Sequence, residues 1–149
     1  MKQRKMMTVG WWVILFLITA CSLGDSTLSS EPTEEELFAQ VKEKIEKGAP
    51  VDKKDDRGLT TLMWAAEKNS LKIATLLMEH GADVNAKNNS GQTPLIYAAM
   101  NNALDVARLL IAKGADINVQ DDFTLTALLW AEVKRYDDMI TLLRKHGGK

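Results

Sequence analysis

The side chains able to do chemistry are few and widely spaced: one cysteine, Cys21; two histidines, His80 and His146; two acidic pairs, Asp55-Asp56 and Asp121-Asp122; and three aromatics at equal intervals, Trp64, Tyr97 and Trp130. A catalytic centre needs a nucleophile, a base or a metal cluster in mutual reach. No such grouping is legible here, so no catalytic residue, metal set or cofactor is expected and the chain does not read as an enzyme. His80 and His146 stand far apart, each just before a glycine that closes a helix, where a side chain able to carry positive charge favours the dipole. They read as structural residues rather than a metal pair. The acidic pairs would suit calcium, but each lies in a turn, where an Asp carboxylate bonds its own backbone. The aromatic stripe could stack bases or sugars; packing between helices is the simpler role, with the Tyr97 hydroxyl needing a partner.

Cys21 has a context of its own. Met1 to Met7 carries Lys2, Arg4 and Lys5 without an acid, and Val9 to Ala20 reads VGWWVILFLITA without a charge. These are the charged and apolar regions of an export signal; the run is short of the roughly 20 apolar residues a spanning helix needs. Ile18-Thr19-Ala20-Cys21 resembles the lipobox of bacterial lipoproteins. That resemblance implies removal of residues 1–20, acylation of Cys21 on sulfur and on the new N-terminus, and stable anchoring through several chains. A plain secretory signal cut near a cysteine is the alternative. Ser22, where an Asp would favour the inner membrane, implies the periplasmic face of the outer membrane.

The 149 residues, 46% hydrophobic and 26% charged, have the composition of an ordinary soluble domain. Without the three leader cations, 16 basic residues face 20 acidic ones, a formal charge of −4. Nucleic acid and anionic lipid surfaces are therefore not expected partners. Residues 21–32, the lipidated Cys and SLGDSTLSSEP, form a flexible spacer. Its reach beyond the cysteine is about 18 Å on average and about 37 Å at full extension.

The elements that must position everything else begin at Thr33-Glu34-Glu35-Glu36, a capping box that opens a helix burying Leu37, Phe38, Val41 and Ile45 and closed by Gly48. From there the chain repeats itself every 33 residues. Gly48-Ala49, Gly81-Ala82 and Gly114-Ala115 open three units; TTLMWAA, TPLIYAA and TALLWAE follow a turn; and Leu76-Leu77, Leu109-Leu110 and Leu142-Leu143 come later. Thr60, Thr93 and Thr126 are helix caps, and Pro94 sits where a helix tolerates it. Asn69 and Asn102 suit a left-handed residue between helices. The doubled leucines face neighbouring units, with Leu109 packed from both sides. Thr124, Arg135 and Asp137 break the pattern in the last unit, and Thr124 puts its turn geometry in question because a β-branched residue resists a positive φ.

This pattern resembles the ankyrin repeat, a β-turn followed by two antiparallel helices. The resemblance implies an all-α solenoid over residues 33–149, made of an N-terminal half repeat (33–47) and repeats at 48–80, 81–113 and 114–146. The signature histidine of the family is replaced by Met63, Ile96 and Leu129, so apolar contact must stand in for its hydrogen bonds. The resemblance also implies protein binding along the turn tips and first helices. Carried over, the contact positions are Asp56, Arg57, Leu59, Glu67 and Lys68, then Asn89, Ser90, Gln92, Met100 and Asn101, then Asp122, Phe123, Leu125, Val133 and Lys134. The expected molecule is a monomeric, membrane-anchored interaction module or scaffold in the bacterial periplasm, with an unidentified protein partner and Cys21 as the lipidation site. An immunity-type inhibitor of a toxin or lipase is the alternative.

Overall fold

The computed structural model describes residues 32–149; the leader, Cys21 and spacer residues up to 31 lie outside it. The described residues form seven helices and no strand: α1 Glu34–Glu46, α2 Thr61–Glu67, α3 Leu71–Glu79, α4 Pro94–Met100, α5 Leu104–Ala112, α6 Ala127–Lys134 and α7 Asp137–Lys145. Each of α2, α4 and α6 begins at a threonine whose hydroxyl accepts from the amide three residues on, at Met63, Ile96 and Leu129. Thr33 and Glu36 form the reciprocal capping box of α1. Between the paired helices, Asn69, Asn102 and Arg135 take φ of +53°, +55° and +59°, the left-handed link that lets a helix end and reverse.

The helices stack as two layers. α2, α4 and α6 pack in sequence, as do α1, α3, α5 and α7, and each pair closes on itself. The core between them contains Leu62, Met63, Ile73 and Leu77, then Leu95, Ile96, Val106 and Leu110, then Met139 and Leu143, all under 2% exposed. Ala65, Ala98 and Ala131 are fully buried, small enough for helices to approach to about 8–10 Å. In α1, Leu37 and Val41 are buried, whereas Phe38 and Ile45, expected inside, are half-buried. Of the second leucine pair only Leu110 is fully buried; Leu109, expected between two repeats, is half-buried. Lys44 is also half-buried, and burial lowers the affinity of its ammonium for the proton.

Polar ladders join one repeat to the next. The Asp83 amide donates to Asp52, the Asp116 amide to Asn85 Oδ1 at 2.8 Å, and the Lys149 amide to Asn118 Oδ1 at 2.9 Å. On the turn side, the Asn89 amide donates to the Arg57 carbonyl and the Asp122 amide to the Ser90 carbonyl, each at 3.0 Å.

That close contact between turns explains where glycine is required. A β-carbon on Gly58 would lie 2.5 Å from Asn89 Oδ1 and 2.8 Å from Asn89 N; one on Gly91 would lie 2.9 Å from Asp122 Oδ1. Both have positive φ, and so does Thr124 at +62°. Thr124 is exposed, so its side chain fits and only the backbone strain remains. Gly58→Ala is expected to lose at least ~2 kcal/mol through strain plus overpacking, while Thr124→Gly gains about 0.5–1 kcal/mol. Urea melts of the two variants check this; a loss at Thr124→Gly would contradict it.

Candidate protein-binding face

The turn of each repeat is organised by one acceptor side chain. Asp55 Oδ1 accepts from the amides of Arg57 (2.9 Å) and Leu59 (2.8 Å). Asn88 Oδ1 accepts from Ser90 and Gln92, both at 2.9 Å, and Asp121 Oδ1 from Phe123 (3.0 Å) and Leu125 (2.9 Å). The first member of each acidic pair, Asp55 and Asp121, thus holds its own backbone. Asn89 Nδ2 adds a bond to the Asp56 carbonyl at 3.0 Å, and Lys54 Nζ one to the Lys87 carbonyl at 2.9 Å. The three turn tips therefore form one fixed ribbon rather than independent loops, which limits the entropy a partner must remove on docking.

Behind the ribbon stand the aromatics. Trp64 and Tyr97 are buried and Trp130 is half-buried, so the first two fill the core and offer no stacking platform. Tyr97 finds the partner its hydroxyl needs: it accepts from Asn88 Nδ2 at 3.2 Å, and burial raises the hydroxyl's pKa. Trp130 Nε1 donates to Asp121 Oδ2 at 2.8 Å. The pairing is matched by type, since the indole is a donor only and meets a carboxylate, while the phenol meets an amide. Trp64 Nε1 is buried and has no partner among the described residues.

Most contact candidates lie on the surface. Asp56, Arg57, Lys68, Asn89, Asn101, Asp122, Phe123, Val133 and Lys134 are exposed, and Glu67, Ser90, Met100 and Leu125 are half-buried. Two are corrections. Leu59 and Gln92 are each only 8% exposed. Leu59 follows the glycine turn into the core, and the Gln92 amide is taken up by Asn88 Nδ2 (3.1 Å) and Met100 Sδ (3.8 Å). The two side chains act in the fold, not in contact. Sequence reasoning missed the ladder residues Asp52, Asn85 and Asn118, whose signal was present as a short polar acceptor at the same position of each unit. The face changes character along its length. The first repeat presents Arg57, Glu67 and Lys68, the second Asn89 and Asn101, and the third Phe123 and Val133, 66% and 65% exposed, beside Lys134.

A family model described as ankyrin repeats (3 copies) matches residues 34–121, more than half the chain. The chain belongs to the ankyrin-repeat family. Its helix pairs are the ankyrin helices, and α6 and α7 continue the same architecture past the end of the match. No curated protein matches the chain. Ankyrin repeats are protein–protein interaction modules. His80 Nδ1 lies 2.9 Å from the Leu76 carbonyl at the end of α3, a local helix-end contact. Among the described residues no group of three or more His, Cys, Asp or Glu could hold a metal ion. No helix among them is long and apolar enough to cross a membrane.

Proposed function

We propose that this ankyrin protein is a non-catalytic, lipid-anchored module on the periplasmic face of a bacterial outer membrane, where it holds a partner protein near the membrane. The observation that carries the binding role is the pre-ordered turn ribbon ending in Phe123, two-thirds exposed and fixed at its own amide by Asp121. Large aromatics left in water at the edge of a rigid surface mark contact sites. The anchoring role rests on Ile18-Thr19-Ala20-Cys21 behind a charged and apolar leader. Three repeats give a strip about 30 Å long, adequate for a partner patch of about 800 Å².

The test uses the full chain as bait in detergent-solubilised membranes from cells grown with a labelled fatty acid. Phe123→Ala with Arg57→Ala is expected to weaken partner capture at least ~30-fold while the melt hardly moves. Cys21→Ser is expected to lose the label and the lipoprotein-type cleavage. Equal label on wild type and Cys21→Ser would end the anchoring reading, and undiminished capture by the double variant would end the assignment of the face.

A further inference from the structure

In the second repeat a run of side-chain hydrogen bonds has its polarity fixed from one end. Asn88 Oδ1 accepts from the backbone amides of Ser90 and Gln92, both at 2.9 Å, so Asn88 Nδ2 is the group left to donate, to Gln92 Oε1 at 3.1 Å and to the Tyr97 hydroxyl at 3.2 Å. With its oxygen taken, the Gln92 amide turns its NH₂ towards Met100, and Nε2 lies 3.8 Å from Sδ. Flipping that amide would set NH₂ against NH₂. Gln92 is 8% exposed, and a thioether is a weak acceptor. A buried donor therefore ends on a sulfur that satisfies it poorly.

The glutamine and the methionine occur together, and only in this repeat. One period earlier and one later, the position of Gln92 holds Leu59 and Leu125, and that of Met100 holds Glu67 and Val133. Those leucines have no donor to satisfy, and no sulfur stands at the paired position. The methionines of the described residues also differ in access: Met63 and Met139 are fully buried, whereas Met78 and Met100 are half-buried. Met78 lies on α3 in the other helix layer, and Met100 ends α4 within the proposed contact face. The spacing suits one further atom. An S=O bond of about 1.5 Å, bent by about 120° at the oxygen and accepting an N–H···O bond of about 2.9 Å, sets sulfur and nitrogen about 3.9 Å apart. The distance found, 3.8 Å, already matches, so Met100 can take up an oxygen atom and turn it onto Gln92 with little movement of either residue.

We propose that Met100 is a reversible oxidation site whose sulfoxide is held by Gln92, and that its oxidation weakens the contact face. Hydrogen peroxide supplies the oxygen. A sulfur lone pair attacks the O–O bond, S–O forms as O–O breaks, the sulfur gives up two electrons and the peroxide is reduced to water. A sulfoxide reductase with two thiols reverses the step, leaving a disulfide and water. The product is a strong acceptor in place of a soft apolar side chain. Inside the fold it completes the Gln92 donor, so the repeat stays intact. On the face it puts a dipole at the position where the next repeat carries Val133, 65% exposed, and a partner fitted to apolar side chains binds it less well. The effect on capture rests on the proposed binding face; the oxidation and its hold by Gln92 do not.

The test treats the full chain in mild detergent with hydrogen peroxide and maps oxidation by peptide mass spectrometry. Met100 is expected to be oxidised while the chain stays folded and Met63 and Met139 stay reduced, and a sulfoxide reductase with thiol is expected to restore it. In a Met78→Leu background, oxidation is expected to shift the melt by less than ~1 °C with Gln92 present and to lower it by ~4 °C or more in Gln92→Leu, where the sulfoxide oxygen has lost its donor. Partner capture is expected to fall at least ~10-fold on oxidation. It falls likewise in Met100→Gln, whose amide oxygen takes the same donor, and stops responding to peroxide in Met100→Leu. A Met100 that stays reduced while Met78 is oxidised overturns the proposal, and so do equal melting losses with and without Gln92, or equal capture by the two redox forms. Should neither form capture a partner, the face and its regulation fail together, and the oxidation map with the melts still decides the sulfoxide site.

Discussion

Leu110→Ala is expected to lower the unfolding free energy by about 2–5 kcal/mol, and Leu109→Ala by only about 1 kcal/mol. Leu110 has 0% exposure on α5, a helix that packs on α3, α4 and α7. Truncating it opens a cavity where the second repeat meets both neighbours. Leu109 is half-buried and already shares its surface with water. A solenoid holds together through interfaces between adjacent repeats, so a weakened middle repeat uncouples the two ends. Urea denaturation of the two variants followed by helix content decides the matter: the Leu110→Ala midpoint falls much further, and its transition broadens or splits. Equal losses at the two positions would mean that the register of α5 against its neighbours is wrong.

Asp121→Ala is expected to cost about 3 kcal/mol although it removes a carboxylate from a surface turn. Asp121 is only 5% exposed, and its two oxygens accept three hydrogen bonds, from the amides of Phe123 and Leu125 and from Trp130 Nε1. Removing the acceptor strands all three donors. Asp121→Asn separates the contributions, because an amide oxygen can still hold the two backbone donors while its NH₂ faces the indole N–H, donor against donor. That variant is expected to lose about 1–2 kcal/mol and to regain most of it when combined with Trp130→Tyr, which recreates the Asn88–Tyr97 pair of the second repeat. A double-mutant cycle measures the coupling, and additive losses would show that the pairing by type has no energetic meaning. In the turn itself, Asp121→Ala also frees Phe123, so partner capture falls with stability for this variant but not for Asp121→Asn with Trp130→Tyr.

Several features were legible because they depend on residues close in the chain. The caps at Thr33, Thr60, Thr93 and Thr126 and the left-handed Asn69 and Asn102 follow from backbone chemistry within a few positions. The Asp55 and Asp121 turns are equally local. Contact assignments fared unevenly because exposure depends on what lies one repeat away. Leu59 and Gln92 sit at the same repeat position as Leu125, and all three were read as surface; the first two are sealed by the following repeat and the third is not. Thr124 likewise adopts the strained φ that its type resists, and its side chain stands exposed where the glycines of the other two turns meet the next turn.

The period, the helix pairs and their termini can be read from residue order alone, since a regular spacing of apolar and capping residues leaves one way to bury the apolar face of each unit against the next. Which leucine of a pair is sealed, and which aromatic is hydrogen-bonded to which turn residue, emerges from the packing of one repeat on the next. Packing likewise leaves Val133 exposed on α6. The reason is that residue type sets what a side chain can do, whereas burial and hydrogen bonding are set by the neighbour brought against it. That neighbour arrives from 33 residues away along the chain or, at the open end of the solenoid, does not come from the described residues at all.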